Sequence, residues 1–354
     1  MKTKIQSIDP EHPNLTHLQE AADLLNAGEL VAFPTETVYG LGANAFDAMA
    51  VAKIFAAKER PAADPLIVHI YSLAQLEQIA ANVPPLAWEL AHRFWPGPLT
   101  LILPRHPNIP RSVSAGLDTV AVRMPNHKIP HALFKLGDLA VAAPSANLFT
   151  RPSPTTAQHV YDDLHGRLPL ILDGGSATIG VESTVLDLTQ ERPVILRPGG
   201  LPRESLTAVL PNVTYSPRFS NLVGQNAEPS APSPGTHLKH YAPNVALRLY
   251  SGQVAAVLAR IVQDTAVYTA QGQRVGLLLA EEDVVAVGNT AVYTATLGSL
   301  HDLPEMARTL FAHLRQLERA DVDIVLTRTF SEEGLGLALR DRLIRATEGQ
   351  IIPV

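Results

Sequence analysis

Along the first 200 residues, apolar positions alternate between a spacing near 3.6 and short unbroken runs. Leu18, Ala21, Ala22 and Leu25 share one face of a helix predicted over residues 15–27, and Gly28 follows as a C-terminal stop. A short strand over 30–33 ends at Pro34, and a segment rich in hydroxyls and glycine, PTETVYGLGANAFD, comes next. A helix over 47–58 has Asp47 as its N-cap. Buried strands fit LIVHI (66–70), LTLILP (99–104), TVAVRMP (119–125) and LAVAA (139–143). Helices fit 72–81, 84–94, 129–136 and 155–165. Three late strands, LPLILD, STVLDL and PVILRP, follow one another without a helix between them. Alternating strands and helices predict an α/β class, and the consecutive late strands make the sheet mixed.

The periodicity disappears over 211–243, where six prolines accompany only three charged residues, Arg218, Glu228 and Lys239. A stretch such as GQNAEPSAPSPGT supports neither a helix nor a strand, so it reads as a linker. Beyond it, VALRLY, RVGLLLA and DIVLTRTF read as strands, and helices fit 303–319 and 335–347. The first of these helices carries Leu303, Met306, Leu310, Leu314 and Leu317 on one stripe. The chain divides into a larger domain over 1–210, a linker over 211–243 and a smaller α/β domain over 244–354, which offers no catalytic constellation of its own.

Composition narrows the chemistry. The chain has 354 residues, 46% hydrophobic and 18% charged, which suits packed domains. It has no cysteine, which removes disulfides, thiolate nucleophiles and Cys-bound metals. Net charge is −6, with −4 in residues 1–200 and −2 in 201–354, so neither half carries the basic signature of a large nucleic-acid footprint. No apolar run has the length of a membrane span, and the N-terminus turns polar at once; a cytoplasmic protein is expected.

The candidate chemistry lies at the ends of strands. Lys58 and Arg60 flank Glu59 where a helix exits before Pro61; two cations there can grip a polyphosphate, and they equally suit a helix C-terminus. Ser145 and Asn147, in PSAN, follow the strand LAVAA, where ligands bind in open α/β sheets; the same residues also make ordinary turns. Arg123 and His69 sit inside otherwise apolar strands, so each meets either a buried partner or a substrate. Ser153, Ser183 and Arg197 (in LRPGG) add hydroxyls and a further cation. No P-loop, complete dinucleotide fingerprint or GxSxG elbow is present. Cations and hydroxyls without a nucleophile or paired carboxylates suit a nucleotide triphosphate and a small zwitterion, with catalysis by positioning and charge stabilisation.

Taken in order, PTETVYGLGANAFD, KxR at Lys58 and Arg60, PLIVHI, WPGPLT, TVAVRMP, APSANLFTRPSPT, DGG with GVESTV, LRPG and KHYAP resemble the threonylcarbamoyl-AMP synthases in their long form. The resemblance spans nearly the whole chain. It implies a YrdC-like twisted mixed sheet with a large concave cleft, followed by a Rossmann-like accessory domain. It also implies a nucleotidyltransferase that converts L-threonine, bicarbonate and ATP into threonylcarbamoyl-adenylate and pyrophosphate. A downstream transferase complex would then use the product on tRNA beside the anticodon. The resemblance assigns ATP to Lys58, Arg60, Thr119, Ser145, Asn147, Ser153, Arg197 and Tyr241, with Lys58 and Arg60 catalytic. It assigns threonine to Thr35, His69, Arg123 and Ser183. Mg2+ would be held mainly by the ATP phosphates, with no protein ligand assigned. The linker, with Tyr241, would fold over the nucleotide; Leu238 stands where the family often has an aromatic residue. The competing readings are a YrdC-like module that only binds RNA, against which the acidic charge weighs, and carbamoyl transfer in hydrogenase maturation, whose zinc-finger segments are missing here.

Overall fold

The computed structural model describes residues 1–216, 240–288 and 290–354. In the first domain the strands are β1 (Lys4–Ser7), β2 (Val31–Phe33), β3 (Gly40–Asn44), β4 (Ile67–His69), β5 (Leu99–Pro104), β6 (Thr119–Arg123), β7 (Val141–Ala142), β8 (Leu170–Asp173), β9 (Thr184–Asp187), β10 (Val194–Arg197) and β11 (Thr214–Tyr215). They form one sheet in the order β1-β8-β2-β3-β7-β4-β6-β5-β9-β10-β11. Its pairings are mixed: β4 runs parallel to β6, whereas β3 and β5 are antiparallel to their neighbours β7 and β6. The mixed sheet expected from the sequence is therefore present.

Helix α1 (Leu15–Asn26) is capped by Asn14 and buries Leu18, Ala21, Ala22 and Leu25, the face read from the sequence. Helix α2 (Ala48–Lys58) starts at Asp47, whose carboxylate accepts from the Met49 and Ala50 amides. It ends at Glu59, a left-handed residue with φ 55°, which turns the chain between Lys58 and Arg60. The helix expected over 72–81 is a 3-10 turn at Leu73–Gln75 followed by α3, a single helical turn at Leu76–Ile79. Helices α4 (Pro85–Phe94), α5 (Lys128–Gly137), α6 (Ala157–Leu164) and α7 (Arg203–Thr207) complete the domain.

The second domain is a parallel sheet in the order β14-β13-β15-β12-β16, built from β12 (Ala246–Ser251), β13 (Val275–Leu279), β14 (Tyr293–Thr296), β15 (Ile324–Arg328) and β16 (Ile351–Pro353). One face packs on α8 (Val254–Ala270) and α9 (Glu281–Val287); the other packs on α10 (Leu303–Arg319) and α11 (Leu335–Ala346). Helices on both faces of a parallel sheet make the expected Rossmann-like layering. Most of the interval expected to be a linker, residues 217–239, lies outside the described residues. At its start, however, β11 pairs with β10 and extends the first sheet, so residues 214–215 belong to the first domain's edge. No helix among the described residues is long and apolar enough to cross a membrane.

The two domains share a core. Val38 and Val181 of the first domain and Tyr241 after the linker are buried in one cluster with Met306, Leu310, Phe311 and Leu314 of α10. Two buried arginines reinforce this seam: Arg315 of α10 grips Asp163 of α6 at 2.7 Å, and Arg342 of α11 grips Glu182 at 2.8 Å. Gly180 makes the approach possible. It has φ 80°, and a Cβ there would lie 2.3 Å from the Cα of Arg308. Replacing it adds both strain and overlap, so Gly180→Ala should cost roughly 1–3 kcal/mol. Urea unfolding of the full chain measures this, and an unchanged midpoint would mean the seam is looser than described.

Candidate active site

The site forms where β4, β6 and β10 end, between the first sheet and the seam. His69 ends β4 and Arg123 ends β6, and the two are direct partners in parallel register. Neighbours in register project from the same face, so the ladder itself brings these two polar side chains together. The loop after β2 supplies Thr35, the PSAN loop supplies Ser145, the GVEST segment supplies Ser183, β10 ends in Arg197, and the chain returning from the linker supplies His240 and Tyr241. These residues line one cavity of about 530 Å³, part of it open to solvent, together with Arg60, Glu182 and the backbone of Tyr39 and Gly40.

Eight of the twelve residues singled out from the sequence thus meet on one cavity: Thr35, Arg60, His69, Arg123, Ser145, Ser183, Arg197 and Tyr241. Two more stand directly behind its wall. Lys58 is buried and donates from Nζ to the carbonyl oxygens of Ser145 (2.6 Å) and Asn147 (2.5 Å). Asn147 donates from Nδ2 to the carbonyls of Leu148 and Arg151, while its buried Oδ1 has no partner among the described residues. Ser153 does not line the cavity either; its hydroxyl donates to Glu182 at 2.5 Å. Thr119 begins β6, four residues before Arg123, opposite Pro104. At about 3.3 Å per strand residue it lies some 13 Å along β6 from Arg123.

The buried charges come with internal partners. Arg123 donates from Nε to the Gly97 carbonyl (3.1 Å) and from Nη1 to the Thr37 hydroxyl (2.8 Å). Its Nη2 lies 2.7 Å from Glu36 Oε1, without hydrogen-bond alignment. Arg60 donates to the Pro65 carbonyl and pairs with Asp64 at 2.9 Å, and its Nε finds no partner among the described residues. Arg197 holds the Ser183 carbonyl through Nε (3.2 Å) and Nη2 (2.9 Å). Thr35 is fixed by its own turn, donating to the Val38 carbonyl and accepting from the Thr37 and Val38 amides. The Ser183 hydroxyl pairs with that of Thr100 at 2.7 Å.

Burial shapes the ionisation. It pushes Lys58 well below its ordinary value, with Arg60 adding repulsion. It pushes His240 well down as well, reinforced by Arg60 and Lys58. His69 falls to about 3, first through burial and then through Arg123. Tyr241 rises to about 12 through burial and the charge of Glu182. Burial also pushes the Glu182 carboxyl up, but Arg342 and Arg197 outweigh it and leave it below its ordinary value. The result is a cationic cavity with neutral imidazoles and, among the described residues, no nucleophile primed by a base.

Comparison with known proteins gives this arrangement its context. The family model described as Telomere recombination (Sua5/YciO/YrdC) matches residues 23–199. The model for the threonylcarbamoyl-AMP synthase C-terminal domain matches 201–347. The threonylcarbamoyl-AMP synthase of Bacillus subtilis is 44% identical over 99% of this chain and 100% of its own. The chain belongs to the threonylcarbamoyl-AMP synthase family. A crystal structure of Pyrococcus abyssi Sua5 complexed with L-threonine superposes with a TM-score of 0.93 at 44% identity, covering 99% of this chain and 100% of that one. The synthase of Pseudomonas putida is 31% identical over 51% of this chain but 97% of its own, which leaves that family member no room for a comparable second domain.

Sequence reasoning passed over several residues of this synthase site. Glu36 and Glu182 stand inside the quoted segments PTETVYG and GVESTV, where a carboxylate among apolar and hydroxyl residues was the available signal. Arg342 sits on a helix of the second domain, and no local pattern connects it to Glu182. Lys58, which the resemblance assigns to ATP and to catalysis, is a buried tie on the PSAN loop.

The low value of His69 has a definite consequence. An unfolded histidine binds a proton below about 6.5, whereas His69 in the folded chain does not until about 3. Stability is therefore lost as the pH falls through 6.5, by up to ~1.4 kcal/mol per pH unit. Thermal midpoints should drop between pH 7 and pH 5, and less steeply in His69→Asn. Equal slopes in the two proteins would show that His69 does not remain neutral in the fold.

Proposed function

We propose that the chain joins L-threonine, bicarbonate and ATP into threonylcarbamoyl-adenylate with release of pyrophosphate, and that a separate transferase carries the threonylcarbamoyl group to tRNA. The observation that carries this reading is the set of buried cations, Arg60, Arg123 and Arg197, on one cavity that shows no base-activated nucleophile among the described residues. An adenylate-forming reaction of this kind passes through no covalent enzyme intermediate. It needs an oriented carbamate, a held α-phosphate and stabilisation of the leaving pyrophosphate.

Threonine is assigned to Thr35, His69, Arg123 and Ser183. Arg123 takes the carboxylate: its guanidinium is already oriented by Gly97 and Thr37, so little freedom is lost when the substrate arrives. The hydroxyls of Thr35 and Ser183 and the neutral imidazole of His69 are partners for the substrate hydroxyl and amine. A site that hydrogen-bonds the substrate hydroxyl rejects valine strongly, whereas rejecting serine rests on the fit of one methyl, worth about 1–3 kcal/mol. ATP is assigned to Arg60, Ser145, Asn147, Ser153, Arg197 and Tyr241. Lys58 enters as the residue that holds the Ser145–Asn147 loop in place. Thr119 is the assignment with least support, because the strand carries it away from the cavity.

Mg2+ accompanies ATP in this reading. The Asn147 Oδ1 atom, buried without a partner among the described residues, and the Ser145 hydroxyl are oxygen donors that suit it. Bound there, the ion would neutralise phosphate charge. Residues 217–239 of the linker lie outside the described residues, and closure over the nucleotide is proposed for Tyr241 alone. Tyr241 supports this, being buried beside the cavity in left-handed backbone (φ 63°), with its hydroxyl unpartnered among the described residues.

The test is adenylate formation, followed by ATP–pyrophosphate exchange in the presence of threonine and bicarbonate. Exchange should require both, and Arg123→Ala should raise the apparent threonine constant at least ~10-fold while leaving the ATP constant nearly unchanged. Failure of the intact protein to form any adenylate from the three substrates would sink the reading. Unchanged threonine affinity in Arg123→Ala would instead make Arg123 an ion-pair residue of the core.

A further inference from the structure

Arg342, on α11 of the second domain, reaches out of its own domain into the wall of the cavity. Its side chain is fully buried. Nε donates to Glu182 Oε2 at 2.8 Å, and Nη1 donates to the Pro198 carbonyl at 2.8 Å, one residue beyond Arg197. The guanidinium also lies over the Tyr241 ring, 5.2 Å from its centroid. One group therefore touches three segments that build the site. Behind it, Asp341 accepts from Arg342 Nη1 and from Arg345 Nε, which closes a charge-balanced chain from the second domain to Glu182.

Glu182 is the sensitive point. It lines the cavity beside Arg197, and its other oxygen takes the Ser153 hydroxyl. An anion on that wall opposes a polyphosphate unless it is neutralised, and a buried carboxylate stripped of its partner acts strongly because little water screens it. Without Arg342, the carboxylate either repels the phosphates directly or draws Arg197 away from them.

Building on the ATP site proposed above, we propose that Arg342 is a positioning residue for ATP: it neutralises and orients Glu182, so that nucleotide affinity depends on the docked second domain. Arg342 makes no contact with substrate in this role. It acts through Glu182 and through the placement of Pro198 and Tyr241.

The experiment compares the full-length protein with Arg342→Met, Arg342→Met combined with Glu182→Gln, and Glu318→Gln, using Mg–ATP calorimetry and the apparent ATP and threonine constants. Glu318 crosses the same seam to Arg151, away from the cavity, and reports docking alone. Arg342→Met should weaken ATP at least ~10-fold with a smaller change for threonine. Adding Glu182→Gln should recover most of that loss, because the unpaired charge is removed. Glu318→Gln should lower the thermal midpoint and leave the ATP constant within about twofold. An ATP constant unchanged in folded Arg342→Met overturns the proposal, as does an equal shift in Glu318→Gln. If Arg342→Met does not fold, Arg342→Lys keeps the charge and loses the fork. It should then weaken ATP about threefold or more, and wild-type affinity there overturns the proposal. The calorimetry reads this even if the intact protein forms no adenylate, so the two failures remain separate.

Discussion

Several buried positive charges gather at one cavity, and much of the architecture around it follows from keeping them there. Taking a guanidinium or ammonium out of water costs several kcal/mol unless charge and hydrogen bonds replace the lost hydration. Each cation here has such a replacement. Arg123 has Glu36 and two oxygen acceptors, Arg60 has Asp64 and the Pro65 carbonyl, and Lys58 has two carbonyls. These partners lie on different loops. Holding the charges therefore also holds the PTETVYG and PSAN segments in register with the sheet.

The same requirement explains what could and could not be read from the chain. The placement of His69 and Arg123 was legible, because polar residues at the ends of apolar strands in an α/β sheet are set side by side by the ladder. Their partners were not. Glu36 and Glu182 look like solvated charges until the fold buries them, and Arg342 stands 160 positions from the carboxylate it neutralises. Among the elements, β3 was missed because its glycines are chosen for space: a Cβ at Gly42 would lie 2.7 Å from both Phe33 and Val141. Helix α8 was missed because its apolar residues are spread too widely to form a stripe; Val254 and Val267 face solvent while Val257 and Ile261 are buried. Strand β1 is short, polar and largely exposed at the sheet edge, so it carries almost no periodic signal.

The second domain showed no catalytic residues in its sequence, and the structure gives it a different relation to the site. Its α10 and α11 supply the apolar wall against which Tyr241 packs and the two arginines that fasten the seam. Arg315 binds the Pro152 carbonyl, next to Ser153, and Arg342 binds the Pro198 carbonyl, next to Arg197. Each seam arginine thus fixes the backbone beside a residue assigned to ATP.

This arrangement also accounts for why the site can work without a nucleophile. A reaction that joins small anionic and zwitterionic partners is limited by orientation and by repulsion between charges. Both are eased when the groups that receive those charges are already fixed before binding. Here the fixing groups are largely backbone carbonyls and internal carboxylates. Arg60 Nε, Asn147 Oδ1 and the Tyr241 hydroxyl are among the buried polar atoms left without partners among the described residues, and each is capacity that could serve a substrate.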